Sequence, residues 1–376
     1  MTITREQFHE AMEQIAPLAH AESWDNVGEL VRGRTDHIDR ILLTIDLTLP
    51  VLEEAIDAEA DTVLAYHPPI FEPLKRLDGV TPTSSIVLGT IRAGIRVYSP
   101  HTALDAAQGG VNDWLADSLG AGDRRALAGG ISADGPQMCK IITFCPAGDA
   151  ETIRDALAAV GAGTMGDYQR CSFELMGTGT FHGNDEASPA VGRKNRLERV
   201  PEVRLEMICP ANALPGAIRA LKTFHPYEEP PVDIYNLAPV PLRETGGGRR
   251  VVLDRSVSMR TLVDRIRTRT GVKRIQVARS IDRPQKHRVV GLCAGAGGSM
   301  LDTAIDQGCT VFVTGEMRHH DVLKAQASGC SVILAGHTNT ERGYLPVLGR
   351  RLTRLFGEQA PQIMISRRDR DPLRTT

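Results

Sequence analysis

The stretch RILLTIDLTLPVLEEAIDAEADTVLAYH (residues 40–67) contains the pattern from which the fold can be predicted. It opens with an apolar, β-branched run, RILLTID, continues with an amphipathic segment, and closes with a second run, DTVLAYH. Strands that alternate with helical segments of this length are typical of a mainly parallel sheet that helices cover on both faces. The stretch therefore predicts an α/β fold.

The same alternation occurs towards both ends of the chain. IRVYS (95–99) precedes a further helical segment, and after about residue 245 the apolar runs are RVVGLCAG (288–295), CTVFVTG (309–315) and SVILAG (331–336). A long helix is predicted from about Thr340. We therefore predict a core of two α/β halves, residues 1–127 and 245–376, whose sheets are flanked by helices.

The middle of the chain has a different pattern. Residues 121–137 are rich in Gly, Asp and Ala and lack apolar periodicity, so they are interpreted as a linker. Beyond them the predicted order of elements is β-α-β-β-α-β, the ferredoxin-like arrangement. Residues 137–242 are thus predicted to form an inserted α+β domain between the two halves.

Composition and charge exclude several classes of protein. The chain has 376 residues, 41% of them hydrophobic, and a formal net charge of only −2, so no direct contact with nucleic acid is expected. The seven cysteines form no C-x-x-C pair and are interpreted as reduced thiols. Acidic residues interrupt the N-terminal segment and no run of about 18 apolar residues occurs. We therefore expect no signal peptide and a cytoplasmic protein that contacts no membrane.

Four side chains that bind metals well follow predicted strands. His67 ends DTVLAYH, Asp105 follows IRVYS, His337 ends SVILAGH, and Glu341 lies just beyond. Open α/β folds place ligands at the carboxyl ends of their strands, so these residues would share one edge of a common sheet. Imidazole together with carboxylate suits Zn²⁺, Mn²⁺ or Fe²⁺. We predict a site for one or two divalent ions per subunit.

Each of these residues also has a structural explanation. Thr338 and Glu341 have the spacing of a capping box, in which Glu341 would satisfy backbone donors at a helix start. Asp105 could belong to a turn, and His67 could be a histidine with satisfied hydrogen bonds at the rim. Only the joint placement of the four residues favours metal binding.

Three further segments carry polar or glycine residues between predicted elements. GEMRHHD (315–321) places Glu316, His319 and His320 at a helix N-terminus, where an anionic substrate group could bind, although a solvated helix face explains them equally well. AGAGGS (294–299) matches no phosphate-binding motif and is better explained as a tight turn. FHPYEEP (224–230) is interpreted either as a lid that contacts substrate or as a stiff surface turn.

Segments at both ends of the chain resemble the NIF-three-like family, whose members are commonly called GTP cyclohydrolase 1 type 2 homologues. These segments are SWDNVGELV (23–31), YHPPIF (66–71), SPHTALDAAQGGVNDWLA (99–116), TGEMRHHD (314–321) and GHTNTERGYL (336–345). The middle of the chain, with its GTGTF and HPYEEP stretches, is similar to the PII-like insert of the longer members.

This resemblance implies a dinuclear metal centre inside a toroidal homohexamer, with His67, Asp105, His337 and Glu341 as ligands. Many bacterial members have two histidines before the proline, where this chain has Tyr66 and His67. One nitrogen ligand is therefore absent, and Tyr66 could bind Fe³⁺ or leave its position to water. His101, four residues before Asp105, is a candidate substitute or a partner that orients a ligand.

Two functions are expected from these features. The first is a metal-dependent hydrolase, similar to GTP cyclohydrolases, in which activated water attacks a nucleotide or another small molecule while Glu316 or His320 shuttles protons. The alternative is a regulatory or metal-binding scaffold without turnover, whose insert senses a metabolite or a partner. A transcription-related adaptor, suggested by the family's original name, has no support in the charge pattern.

Overall fold

The stretch 40–67 forms a strand, a helix and a second strand in the computed structural model, which describes residues 2–131, 137–238, 241–282 and 284–373. The chain divides into two units. Unit 1 combines Met1–Ile131 with Pro241–Thr376, and unit 2 is Ser132–Val240. The second unit lies within the sequence of the first, close to the bounds predicted for an insert.

The amino-terminal part of unit 1 contains the first strands and helices. They are β1 (Ile3–Thr4), α1 (Arg5–Ile15), β2 (Gly28–Val31), β3 (His37–Ile38), β4 (Arg40–Thr44), α2 (Leu49–Asp57), β5 (Thr62–Ala65), α3 (Pro82–Ala93), β6 (Arg96–Ser99), α4 (His101–Ala106), α5 (Val111–Ala116) and β7 (Gly122–Ile131).

Unit 2 and the remainder of unit 1 follow in chain order. Unit 2 contains β8 (Met138–Cys145), α6 (Ala150–Ala159), β9 (Ser172–His182), β10 (Leu197–Pro210), α7 (Leu214–Phe224) and β11 (Val232–Asn236). Unit 1 resumes with β12 (Pro241–Val257), α8 (Met259–Thr270), β13 (Gln276–Ala278), β14 (His287–Ala296), α9 (Leu301–Asp306), β15 (Val311–Glu316), α10 (His319–Ala327), β16 (Ser331–Leu334), α11 (Asn339–Arg342), α12 (Leu345–Phe356) and β17 (Gln362–Ile365).

The first large sheet of unit 1 has the strand order β17-β4-β5-β6-β2. Strand β4 pairs in parallel with β17 and β5, and β5 pairs in parallel with β6. Only β2, at the edge, is antiparallel to its neighbour. The mainly parallel sheet predicted for this part of the chain is therefore confirmed.

The second large sheet has the order β13-β16-β15-β14-β12-β7 and is mixed. Strands β14, β15 and β16 are parallel, whereas β12, β7 and β13 pair antiparallel. The prediction of a mainly parallel sheet thus holds for only half of these strands. Two strands also cross the predicted division. Strand β7 precedes the insert and joins the sheet of the second half, whereas β17 lies at the end of the second half and joins the sheet of the first.

Strand β7 occupies most of the stretch that was interpreted as a linker, so that prediction is wrong for residues 122–131. The stretch lacks apolar periodicity because its pairing with β12 depends on close backbone approach. A Cβ at Gly122 would overlap the carbonyl of Val252, and one at Gly246 would overlap the carbonyl of Ala128. Residues 132–136 of the predicted linker lie outside the described residues.

Alternate residues of each strand pack on opposite faces. In β4, Ile41 and Leu43 join a large cluster of buried side chains that also contains residues of the second sheet, such as Val311 of β15. Leu42 faces the other way, towards α2 and α3. Phe312 of β15 belongs to a separate cluster with residues of α9 and α10. The two sheets therefore share one inner core, and helices cover their outer faces.

The long helix predicted from about Thr340 is two helices, α11 and α12. Pro346 lies in the first turn of α12 and has no N–H to bond to the preceding turn, so a new helix begins there. None of the helices in the described part of the chain is long and apolar enough to span a membrane.

Unit 2 has the predicted order of elements, β-α-β-β-α-β. Its four strands are antiparallel in the order β11-β8-β10-β9. Ile141 and Leu205 from the strands pack against Ile153 and Leu157 of α6 and Leu221 of α7, so both helices cover one face of the sheet.

Candidate metal centre

His67 and His337 meet at the carboxyl ends of strands. The N–H of His67 bonds to the carbonyl of Ile45 and so extends the β4–β5 pairing, while His337 follows β16. The centroids of the two imidazole rings lie 5.4 Å apart. The histidines follow strands of different sheets, so the prediction of one shared sheet edge is wrong, although the two distant pieces of chain do converge.

Glu341 lies in α11 between the two imidazoles. Its Oε1 is 3.5 Å from Nε2 of His337, and its Oε2 is 3.5 Å from Nε2 of His67. One ligand atom from each of the three residues lies within 4.8 Å of the others. This arrangement offers two imidazole nitrogens and a carboxylate to a single point.

The environment of Glu341 tests whether a cation would fit. The residue is only 3% exposed, and its Oε2 has no hydrogen-bond partner within the described residues. A buried carboxylate oxygen without a donor costs free energy, which a bound divalent cation would offset. The donor set and the unpartnered oxygen both fit a divalent metal.

The capping-box explanation of Glu341 is wrong. Thr338 does precede α11, but among the described residues its side chain makes no capping hydrogen bond and its buried hydroxyl has no hydrogen-bond partner. In the described part of the chain, the side chain of Glu341 therefore makes none of the backbone contacts that would have explained it without a metal.

Carboxylates orient both histidines from the side away from Glu341. Nδ1 of His67 lies 2.8 Å from Oδ1 of Asp46, and Nδ1 of His337 lies 3.0 Å from Oε1 of Glu316. A ring that donates its Nδ1–H to a carboxylate leaves the Nε2 lone pair for a metal. Sequence reasoning missed Asp46, although it ends the strand-like run RILLTID, and it assigned Glu316 to proton transfer.

The charges around His67 change its protonation. Burial lowers the pKa of His67, but the hydrogen bond to Asp46 and the negative charges of Asp46 and Glu341 outweigh burial and raise that pKa to about 10. Imidazole binds a metal in its neutral form, so an entering cation would displace this proton.

Tyr66, which is buried, and Asp105, which is half-buried, form a pair beside the three-residue cluster. The phenol of Tyr66 donates to Oδ1 of Asp105, and burial raises the pKa of Tyr66 well above its ordinary value. Burial also raises the pKa of Asp105, to about 7, although the bond from Tyr66 acts in the opposite direction. Within the described part of the chain, the carboxylate of Asp105 thus contacts Tyr66 and makes no turn or cap bond, but the cluster of possible ligand atoms does not include it.

His101 also reaches this region. Its ring centroid is 5.2 Å from that of His67, and its Nδ1 lies 2.8 Å from Oδ1 of Asp25. The second oxygen of Asp25 accepts the N–H of Thr102 at 3.1 Å. Sequence reasoning did not single out Asp25, which lies in SWDNVGELV, one of the segments that carry the family resemblance.

A cavity of about 460 Å³ lies beside several of these groups. Among the described residues, its polar lining includes His101, Asp105, His337 and Glu341, and its apolar lining includes Trp24, Phe71, Cys293 and Met300. A small molecule could therefore reach the candidate metal ligands from an apolar pocket.

Gly295, in the segment AGAGGS, forms part of the cavity wall. Its φ is +65°, and a Cβ there would lie 2.5 Å from Oε1 of Glu341 and 3.2 Å from Nε2 of His337. The glycine is thus explained by close approach of the backbone to the site as well as by turn geometry.

His319 and His320 lie in the first turn of α10. Both are exposed, their ring centroids are 5.7 Å apart, and neither belongs to the cavity lining within the described residues. The structure therefore does not bring His320 to the site, whereas Glu316 reaches it through His337. All seven cysteines are free thiols.

Comparison with known proteins gives consistent matches along almost the whole chain. The model of the family Duf34/NIF3 (NGG1p interacting factor 3) matches residues 3–372. NIF3-like protein 1 of Mus musculus is 35% identical over 370 residues, covering 97% of this chain and 90% of the mouse protein. A GTP cyclohydrolase 1 type 2 homolog of Listeria innocua is 32% identical over 338 residues, covering 89% of each chain. The crystal structure of a Bacillus cereus protein related to NIF3 is 30% identical, has a TM-score of 0.65, and covers 100% of this chain and 99% of that one.

Proposed function

The chain belongs to the Duf34/NIF3 family, and on that premise we propose that it is a metal-dependent hydrolase-like protein of the cytoplasm. Its metal would be held by His67, His337 and Glu341. The observation that carries the proposal is that Oε2 of buried Glu341 lies between two oriented imidazoles and accepts no hydrogen bond from the described residues. A divalent cation there would supply Lewis acidity and lower the pKa of a water molecule.

The protein's own groups would each have a separate task. Asp46 and Glu316 hold the histidines with Nε2 directed to the site. Asp105 and His101 line the cavity beside the three ligands, where they would hold a second ion or exchange protons with a bound molecule. Glu316 would act by orienting His337, and no task is proposed for His320.

The names of several relatives suggest a substrate. Because they are called homologs of GTP cyclohydrolase 1 type 2, a nucleotide such as GTP is the first substrate to test. The proposal also includes the toroidal homohexamer implied by the family resemblance and a PII-like character for unit 2, which its β-α-β-β-α-β order supports.

The second candidate function is a regulatory or metal-binding scaffold without turnover. It is favoured by Tyr66, whose phenol donates to Asp105. By the family resemblance, this is the position at which many bacterial members would have a histidine. Turnover separates the two functions. Hydrolysis of GTP that requires added metal and is lost in Asp105→Ala supports the enzyme, whereas stoichiometric metal with no turnover of any nucleotide supports the scaffold.

Metal content tests the ligand assignment directly. We expect His67→Ala and Glu341→Ala to lose at least about 90% of the bound metal, since each removes one of three ligands. Elemental analysis of protein purified without added metal is the measurement. His320→Ala, which removes an exposed imidazole outside the cavity, is the matched control and should keep the wild-type content. Full metal in both ligand variants would show that the assignment is wrong.

A further inference from the structure

Unit 2 has a cavity of its own. Its volume is about 550 Å³, which is in the range of small-molecule sites. Val203 and Cys145 are paired and buried towards the helices, so by alternation their neighbours Glu202 and Phe144 point to the opposite face of the sheet. Both neighbours line the cavity, which therefore lies on the face that α6 and α7 leave uncovered.

Two sequence segments that the metal centre does not use converge on this cavity, GTGTF in β9 and HPYEEP after α7. The phenol of Tyr227 donates to Oε1 of Glu202 at 2.6 Å. A Cβ at Gly179 would overlap Oε2 of the same carboxylate. The glycine thus lets the side chain of Glu202 lie against β9, and Tyr227 fixes it there.

Further hydrogen bonds hold the walls in place. His225 is 8% exposed, and its Nδ1 accepts the N–H of Tyr227 at 3.1 Å, so Nε2 donates to the carbonyl of Phe144 at 3.1 Å. The N–H of Ser188, in the loop after β9, donates to Oε2 of Glu228 at 2.8 Å. The cavity is therefore formed by the folded chain itself, which lowers the cost of ordering a binding site.

The charge of the lining has one sign. Glu202, Glu228 and Glu229 line the cavity, and no lysine, arginine or histidine of the described chain does so. Among the described residues, only His67, His337 and Glu341 of unit 1 bring three possible metal-ligand atoms of acidic, histidine or cysteine side chains within 4.8 Å of one another. The three glutamates are thus too dispersed to form a site for an inorganic ion.

The rest of the lining is mainly apolar and contains two phenylalanines. Its larger apolar members are Phe144, Phe181, Pro189, Val191 and Pro231. From the joint presence of dispersed carboxylates and apolar walls in one preformed cavity, we propose that unit 2 binds a small organic cation with an aromatic or aliphatic body.

Each part of such a ligand has a partner in the cavity. An ammonium group would donate to Oε2 of Glu202, which Tyr227 leaves open, and to Glu229, which makes no hydrogen bond with the described residues. The rings of Phe144 and Phe181 would pack on the apolar body. The binding is non-covalent and does not depend on the metal centre.

A set of three probes that differ in one terminal group tests the proposal on the full-length protein. Tryptamine is cationic, tryptophol is neutral, and indole-3-propanoate is anionic. Isothermal titration should show saturable binding of tryptamine, binding of tryptophol weaker by about tenfold or more, and no binding of the anion, since a hydrogen bond to a charged group contributes more than a neutral one. Binding should also weaken as salt is added.

Variants locate the site. Glu202→Gln and Glu229→Gln should each weaken tryptamine binding by about tenfold. Glu174→Gln makes the same change of charge on an exposed residue of β9 that does not line the cavity, and it should bind like the wild type, as should His337→Ala in the metal centre. The proposal is overturned if tryptamine does not saturate below about 1 mM, which corresponds to a very weak complex. Equal binding of tryptophol, or wild-type binding by both cavity variants, overturns it as well.

Discussion

Gly295 shows how closely a single residue can be tied to the candidate metal centre. Its backbone is left-handed, and a Cβ on this residue would lie too close to Oε1 of Glu341, so there is no room for a side chain. We expect Gly295→Ala to weaken metal binding at least about tenfold and to destabilise the fold by about 1–2 kcal/mol. Metal titration and thermal unfolding measure the two effects.

A matched control separates backbone strain from contact with the ligands. Gly308 also has a left-handed φ, of +75°, but a Cβ there would meet nothing within 4 Å. Gly308→Ala should therefore lose similar stability and keep its metal affinity. If Gly295→Ala also keeps its affinity, the glycine is needed only for the turn.

The identity of residue 66 should determine how many metal ions the site can bind. The hydroxyl of Tyr66 is committed to Asp105, so no nitrogen ligand is offered at that position. We expect Tyr66→His to raise the bound metal from about one ion per chain towards two, since imidazole suits the same divalent ions. Elemental analysis of protein saturated with Zn²⁺ is the measurement. Tyr66→Phe should leave the stoichiometry unchanged, and loss of metal in that variant would instead identify the phenol as a ligand.

Residue types and strand ends were enough to predict His67, His337 and Glu341 as possible ligands, since each follows or lies close to an apolar run. The partners Asp46 and Asp25 could not be predicted in the same way. Each contacts its histidine through hydrogen bonds that depend on the path of neighbouring chain segments, and nothing in the local pattern distinguishes such carboxylates from solvated ones.

At the scale of elements, a buried arginine joins β12 to the helices of the amino-terminal part. Arg249 is 1% exposed and donates to Asp113 in α5 at 2.7 Å. It also donates to the carbonyls of Ala107 at 2.9 Å and of Gly246 and Gly248 at 2.7 Å. Two segments separated by the whole insert are thus held by one side chain.

Removal of one partner should leave this arginine buried without its counter-ion. We expect Asp113→Ala to lower the free energy of unfolding by about 3–5 kcal/mol. Denaturant unfolding followed by circular dichroism measures the loss. Asp264→Ala breaks exposed pairs with Arg260 and Arg267 on α8 and should cost less than about 1 kcal/mol. Similar losses in both variants would mean that burial of Arg249 adds nothing.

The sequence predicts the elements better than it predicts their pairing. Apolar runs such as 40–46 and 61–67 identify β4 and β5, because a buried strand needs such a run. Strand β7 was missed because its stability depends on glycine contacts with β12, and the residues of every registered pair are 110 or more positions apart in the chain. The break between α11 and α12 could have been inferred from Pro346, whose missing N–H is a local property.

At the scale of the whole molecule, the chain leaves unit 1 and returns to it at two residues that are paired in neighbouring strands. Ile131 at the end of β7 is registered with Pro241 at the start of β12. A short turn could therefore replace residues 132–240. We expect such a deletion to fold and to keep the wild-type metal content, because every candidate ligand lies in unit 1.

The same deletion provides a further check on the cavity of unit 2. The shortened protein should no longer bind tryptamine. Its metal content by elemental analysis should equal that of the full-length protein, and its circular dichroism spectrum should be that of a folded α/β protein. Loss of metal together with the insert would contradict the expectation that unit 1 is sufficient for the site.

Strand β17 has a consequence for biosynthesis. It is the edge strand that pairs with β4, so the ribosome must deliver more than 300 further residues after β4 before this side of β4 is paired. Unit 2 depends on no such late strand and can fold while the nascent amino-terminal half still exposes apolar surface. Chaperones that keep this incompletely folded intermediate from aggregating would then affect the yield of folded protein more than the final stability of either unit does.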